Sequence, residues 1–172
     1  MFKIFKNLTP KKALKEIFST LIIIFIMANI VSYFKSPTLE SAQLPSIEKK
    51  LIDGSHYSTK EHKNKAVMIH IWATWCPVCK TEIGNIDTIS NYFDVITIAS
   101  KSGSDSDINS FLNERNLNFK VINDSDSSLA ADFEVAAYPT TYIYDKNGKL
   151  SFTEVGYTST LGLYLRLWWA SL

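Results

Sequence analysis

Ala66-Val67-Met68-Ile69-His70-Ile71-Trp72-Ala73-Thr74-Trp75-Cys76-Pro77-Val78-Cys79 is the stretch that decides the fold. Ala66 to Ala73 is a nearly continuous apolar run, the pattern of a strand covered on both faces. The chain's 2 cysteines follow at once, spaced Cys-x-x-Cys, where strand gives way to helix. A sulfur at a helix N-terminus meets unpaired backbone N–H groups and the positive end of the helix dipole, which favour thiolate over thiol. The second sulfur lies one turn along, close enough to close a small disulfide. The pair can serve as a reversible two-electron couple. The alternatives are a structural bridge, which normally closes a longer loop, and half of a metal site, which needs two further ligands for zinc.

Outward from this stretch the pattern alternates. Pro77 to about Phe93 carries Ile83, Ile86 and Ile89 at helical spacing, and Asp94–Ser100 reads as a second buried strand. Asp105–Asn116 opens on capping-type polar residues and continues with Ile108, Phe111 and Leu112, an amphipathic helix. Phe119–Ile122 predicts a third strand and Ser127–Glu134 a short helix. Thr140–Tyr144 and Leu150–Val155 flank Asp145-Lys146-Asn147-Gly148, whose Asn-Gly marks a hairpin turn. A last helix, about Thr158 to Ala170, carries Leu161, Leu165, Trp168 and Trp169, with the tryptophans expected to pack it on the sheet, the alternative being that one stays exposed at a partner surface. Strand–helix alternation closed by a hairpin and a helix implies an α/β fold, a central mixed sheet with helices on both faces.

The N-terminal part is different. At 172 residues the chain has room for one domain and an extension. Its net charge of +1 argues against a nucleic-acid partner and hides an asymmetry. Six lysines and one glutamate lie at or before Lys35; the rest holds 12 basic and 16 acidic residues. Ile17 to Phe34 contains no charge and is long enough to cross a bilayer, which takes about 17–25 apolar residues. Five lysines precede it and one follows, which orients the N-terminus to the cytoplasm. A cleaved signal peptide would need a shorter apolar region and a small-x-small site; Glu40 spoils Ser41-Ala42-Gln43 for that purpose. The expected organisation is a basic cytoplasmic segment 1–16, a single-pass transmembrane signal-anchor 17–34, a tether 35–49 and a domain 50–172.

The stretch Trp72-Ala73-Thr74-Trp75-Cys76-Pro77-Val78-Cys79-Lys80-Thr81-Glu82, with Tyr138-Pro139-Thr140-Thr141 about sixty residues downstream, resembles the active-site motifs of thioredoxin-like proteins. It is most similar to their membrane-anchored TlpA/ResA-like branch, including the suppressor of copper sensitivity protein D type. The resemblance covers roughly residues 50–170 and implies a thioredoxin-like fold. It also implies an inner-membrane protein disulfide oxidoreductase whose domain is periplasmic or otherwise extracytoplasmic. Its partners would be protein thiol or disulfide substrates and a membrane thiol-redox partner. No cofactor is expected beyond the redox-active disulfide Cys76–Cys79, and no metal. Implied substrate settings are general disulfide exchange, copper-stress defence or reduction of apocytochrome c. A Cu(I)-binding module using the same thiolates is the rival from another class.

The resemblance also assigns roles. Cys76 is the exposed, attacking sulfur and Cys79 the inner one that resolves the mixed disulfide. Pro77 and Val78 shape the helix start, with Trp75 beside them. Pro139 is implied to be cis, with Tyr138 contacting substrate. Glu82 matches an acidic residue of this branch that exchanges a proton with Cys79. Thioredoxins commonly place a buried acid six residues before the first cysteine; here that position is His70, a possible proton-transfer group titrating near neutrality in its unperturbed form. His56 and His62 read as surface residues, and Asp124, Asp126 and Asp132 as solvated.

Overall fold

The computed structural model describes residues 14–20, 22, 23, 27, 42–61 and 64–172. In order the elements are β1 (Glu48–Lys50), β2 (His56–Ser58), β3 (Val67–Trp72), α1 (Pro77–Ser90), β4 (Asp94–Ser100), α2 (Asp105–Glu114), β5 (Lys120–Asp124), α3 (Ser128–Asp132), β6 (Thr140–Tyr144), β7 (Leu150–Val155) and α4 (Thr160–Ala170). β3 is buried at every position because it runs through the middle of a five-stranded sheet ordered β5-β4-β3-β6-β7. It pairs parallel with β4 and antiparallel with β6; β5 adds to β4 in parallel and β7 to β6 antiparallel. The mixed sheet is the one the alternating pattern predicts.

Alternation along β3 splits the core into two layers. Met68 and Trp72 face a layer completed by Ile83, Ile86 and Ile89 of α1, Phe111 and Leu112 of α2, and Leu163 and Leu167 of α4. Val67, Ile69 and Ile71 face the other, filled by Leu129 and Ala130 of α3 and by Ile47, Leu51 and Tyr57. Each isoleucine of α1 contributes about 1.5–3 kcal/mol by its burial. Helix starts follow local rules. Ser104 and Asp107 form a capping box at α2, and Ser159 Oγ accepts the Gly162 N–H at α4. In the β6–β7 turn, the Asp145 carboxylate accepts the Asn147 and Lys149 N–H groups at 2.8 and 2.9 Å.

Three expectations change. The segment expected as a tether to Lys49 is partly taken into the domain. Gln43 bridges to Lys149, Ile47 is 4% exposed, and Glu48–Lys50 pairs with β2, because Leu44 and Ile47 have an apolar layer to cover. Trp168 and Trp169 do not pack on the sheet. The face of α4 that does is Leu163, Leu167 and Ala170, which leaves Leu161, Leu165 and both tryptophans exposed. Asp124 is buried, not solvated: its carboxylate accepts the Leu129 and Ala130 N–H groups, each at 3.0 Å, and so holds the start of α3. Asp126 and Asp132 are exposed, as is His56; His62 lies outside the described residues.

The chain divides into two units, Met1–Lys35 and Ser36–Leu172. In the first, residues 14–20 are helical, and Ile17, Phe18, Ile22, Ile23 and Met27 are exposed. The transmembrane expectation for 17–34 falls largely outside the described residues. Among those described, no helix is long and apolar enough to cross a membrane.

Candidate active site

Cys76 is the N-cap of α1, with extended backbone (φ −79°, ψ 118°), and Pro77 takes the first helical position, where its missing N–H costs nothing. The Cys79 N–H points at Cys76 Sγ at 3.2 Å. The two cysteines are joined in a disulfide with Cα atoms 5.3 Å apart. Cys79 is fully buried and Cys76 only 4% exposed. The expected exposed sulfur is therefore nearly covered, because the capping position tucks it under the loop that carries Tyr138. Pro77 and Val78 lie at the surface beside it, with Trp75 55% exposed.

Two loops hold this helix start. The Tyr138–Pro139 peptide bond is cis, and the Tyr138 carbonyl oxygen lies 3.6 Å from Cys76 Sγ. The Tyr138 hydroxyl donates to Ser100 Oγ at 2.9 Å, and Ser100 Oγ lies 2.7 Å from Ser127 Oγ. The Pro139 carbonyl accepts the N–H of Gly156, whose φ of +94° suits glycine. From the other side, the loop after β4 reaches the motif: Ser102 Oγ accepts the Thr74 N–H at 3.0 Å, and the Lys101 carbonyl accepts Trp75 Nε1–H at 3.1 Å. The Trp75 ring meets Tyr138 edge-on, with centroids 5.5 Å apart.

Beneath the sulfurs the core layer is polar at two places. Glu82 follows Cys79 by one turn and is completely buried. Its Oε1 accepts the Thr158 N–H at 3.0 Å, while Oε2 has no partner among the described residues. Burial pushes its carboxyl up to about 8, opposed by the Thr158 N–H and reinforced by the nearby charge of Glu154. Glu154 itself pairs with Arg166 at 2.6 Å. His70, between Met68 and Trp72, points into the same layer. Its Nδ1 lies 2.8 Å from Thr141 Oγ1, and its Nε2 has no partner among the described residues. Burial pulls its pKa down to about 3, so the ring is neutral at physiological pH.

Of the residues the sequence brings forward, the fold sets Trp75, Cys76, Pro77, Val78, Cys79, Tyr138 and Pro139 together beyond the end of β3, with His70 inside that strand and Glu82 one turn along α1. Sequence reasoning missed Ser100, Ser102 and Thr158, which carry no motif and act only through loops that fold back onto the site.

A family model, described as the AhpC/TSA family, matches residues 41–153, which include both cysteines, His70, Glu82, Tyr138 and Pro139. The chain belongs to the AhpC/TSA family. A thioredoxin-like protein of Haemophilus influenzae is 26% identical over 162 residues, covering 93% of this chain and 96% of that one. A thiol-disulfide oxidoreductase, ResA, of Oceanobacillus iheyensis is 26% identical over 159 residues, covering 84% and 83%. Among solved structures, a thiol:disulfide interchange protein of Chlorobium tepidum superposes with a TM-score of 0.69 at 21% identity, covering 79% of this chain and all of its own. This AhpC/TSA member is an enzyme, a thiol-disulfide oxidoreductase of thioredoxin-like fold.

Proposed function

We propose that this oxidoreductase is a membrane-anchored enzyme of the TlpA/ResA-like branch, that its domain lies outside the cytoplasm, and that it exchanges disulfides with protein substrates through Cys76 and Cys79. The observation that carries the exchange reading is the Tyr138 carbonyl, 3.6 Å from Cys76 Sγ on a loop ending in a cis proline. It offers an extended substrate a backbone acceptor beside the reacting sulfur. In the reducing direction the Cys76 thiolate attacks a substrate disulfide, forms a mixed disulfide and releases one substrate thiolate, which takes up a proton. Cys79 then loses its proton and attacks Cys76 Sγ, releasing the second substrate thiol and closing Cys76–Cys79. A membrane thiol-redox partner returns two electrons and two protons. Oxidation of substrates is the same sequence reversed. The couple needs no further cofactor.

Glu82, one turn beyond Cys79 and with a carboxyl titrating near 8, suits acceptance and return of that proton. His70, neutral and hydrogen-bonded to Thr141, is a poor proton acceptor at neutral pH and is given a positioning part. The anchor reading rests on the uncharged run Ile17–Phe34 behind five lysines and on the exposure of Ile17, Phe18, Ile22, Ile23 and Met27.

Trapping tests the exchange. In native membranes, Cys79→Ala cannot resolve the first bond, so mixed disulfides between Cys76 and client proteins should accumulate and vanish on treatment with dithiothreitol. The absence of any trapped protein under both oxidising and reducing conditions overturns the proposal.

A further inference from the structure

α4 sends Leu163, Leu167 and Ala170 into the core and turns an apolar face outward. Leu161, Leu165, Trp168 and Leu172 follow one another at helical spacing along that face, and Trp169 adjoins it; they are 49–67% exposed. Tyr92, at the end of α1, lies beside this surface, 70% exposed and with its ring edge-on to Tyr164. An exposed apolar surface of this kind marks a binding partner. From Val155 to Leu172 there is no acidic residue, although the sequence after Lys35 has an acidic excess.

The position of this face selects the partner. α4 begins beside the active-site end, where Thr158 meets Glu82, and runs toward the opposite end of the sheet. There Lys146 Nζ, in the β6–β7 turn, donates to the Leu172 carbonyl. The chain joins the domain at that same turn: Leu44 N–H donates to the Gly148 carbonyl, and Leu150 N–H to the Ala42 carbonyl, both at 2.7 Å. Only residues 36–41 separate Lys35 from Ala42, a reach of no more than about 25 Å.

We infer that the exposed face of α4 docks on the lipid surface of the bilayer, with Trp168 and Trp169 at the headgroup level and the Cys76 end directed away from the membrane. The inference rests on the reading of Ile17–Phe34 as the anchor. Indole rings, with an apolar body and one N–H, settle at the membrane–water interface. Side chains without carboxylates on this helix add no repulsion from anionic lipid. Because the tether keeps lipid always within reach, weak intrinsic affinity suffices. Docking would present the disulfide to clients in the aqueous compartment at a fixed height and orientation.

The test uses the full chain reconstituted in vesicles of phosphatidylethanolamine and phosphatidylglycerol carrying bromine on the upper acyl chain. Flotation after alkaline carbonate extraction reads the anchor; tryptophan emission reads the docking. Two of the 4 tryptophans lie on this face, so brominated lipid should remove about half of the emission while Trp75 stays open to aqueous iodide. The Trp168→Ser/Trp169→Ser variant should float, retain disulfide exchange and show no bromine quenching. Leu161→Ser/Leu165→Ser, with both indoles kept, should show weakened quenching. Flotation without quenching in the wild type overturns the docking and leaves the anchor standing. If Trp168→Ser/Trp169→Ser then dissociates a dimer, the face belongs to self-association. Failure to float overturns anchor and docking together.

Discussion

At the scale of single residues, Glu82 and His70 are buried groups whose two protonation states the fold treats unequally. Glu82 keeps one oxygen on the Thr158 N–H and is held mostly protonated below about 8. Glu82→Gln preserves that hydrogen bond and removes the titration. The variant should form mixed disulfides through Cys76 at the wild-type rate but resolve them at least about tenfold more slowly, because only the second step needs the proton moved. Rapid quenching of the two steps separates them; equal slowing of both would mean that Glu82 acts only through packing. The spacing from Cys79 made this carboxylate legible in the sequence. Its partner was not, because Thr158 lies 76 positions away and enters through the turn before α4.

At the scale of elements, the start of α1 is held by a loop rather than by its own helix. Ser102 Oγ accepts the Thr74 N–H and in turn donates to the Ser100 carbonyl at 3.0 Å. Ser102→Ala leaves a partly buried N–H without its partner, which costs about 1–3 kcal/mol. Urea unfolding should show that loss, and the rate of Cys76 attack on a model disulfide should fall with it; unchanged stability would mean that solvent replaces the hydroxyl. The strands were legible because β3 and β4 are apolar runs of strand length between turn signals. The phase of α4 was not. Thr160-Leu161-Gly162-Leu163-Tyr164-Leu165-Arg166-Leu167-Trp168-Trp169-Ala170 is apolar on nearly every side, so periodicity cannot choose which side meets the sheet. Asp124 was misread for a related reason: an aspartate among polar residues looks solvated until the helix whose N–H groups it accepts is in place.

For the whole molecule, the two buried groups set opposed slopes of stability against pH. The carboxyl of Glu82 rises from 4.5 in the unfolded chain to about 8 when folded. The folded chain then holds a proton that the unfolded chain has lost, so stability falls as pH rises through this window, by about 1.4 kcal/mol per unit. His70 falls from 6.5 to about 3. The unfolded chain holds the extra proton here, so stability falls as pH drops below 6.5, with the same slope. Between 4.5 and 6.5 the two slopes cancel, and these groups leave a plateau. Between pH 6.5 and 8 only Glu82 acts, and the wild type should lose about 2 kcal/mol. Between 4.5 and 3 His70 adds a loss of similar size to that of Glu48, Asp53, Asp107 and Asp126, whose hydrogen bonds hold their carboxyls below the usual range. Denaturant unfolding of the oxidised protein across pH 3–9 measures this without a contribution from the cysteines, which do not titrate when disulfide-bonded. Glu82→Gln should abolish the loss above 6.5 and expose a rise from 4.5 to 6.5 that the wild type hides. His70→Asn should do the converse, reducing the acid loss to that of the hydrogen-bonded carboxylates and exposing a fall that begins at 4.5. If either variant merely lowers the wild-type profile at every pH, that group is not the source of its slope.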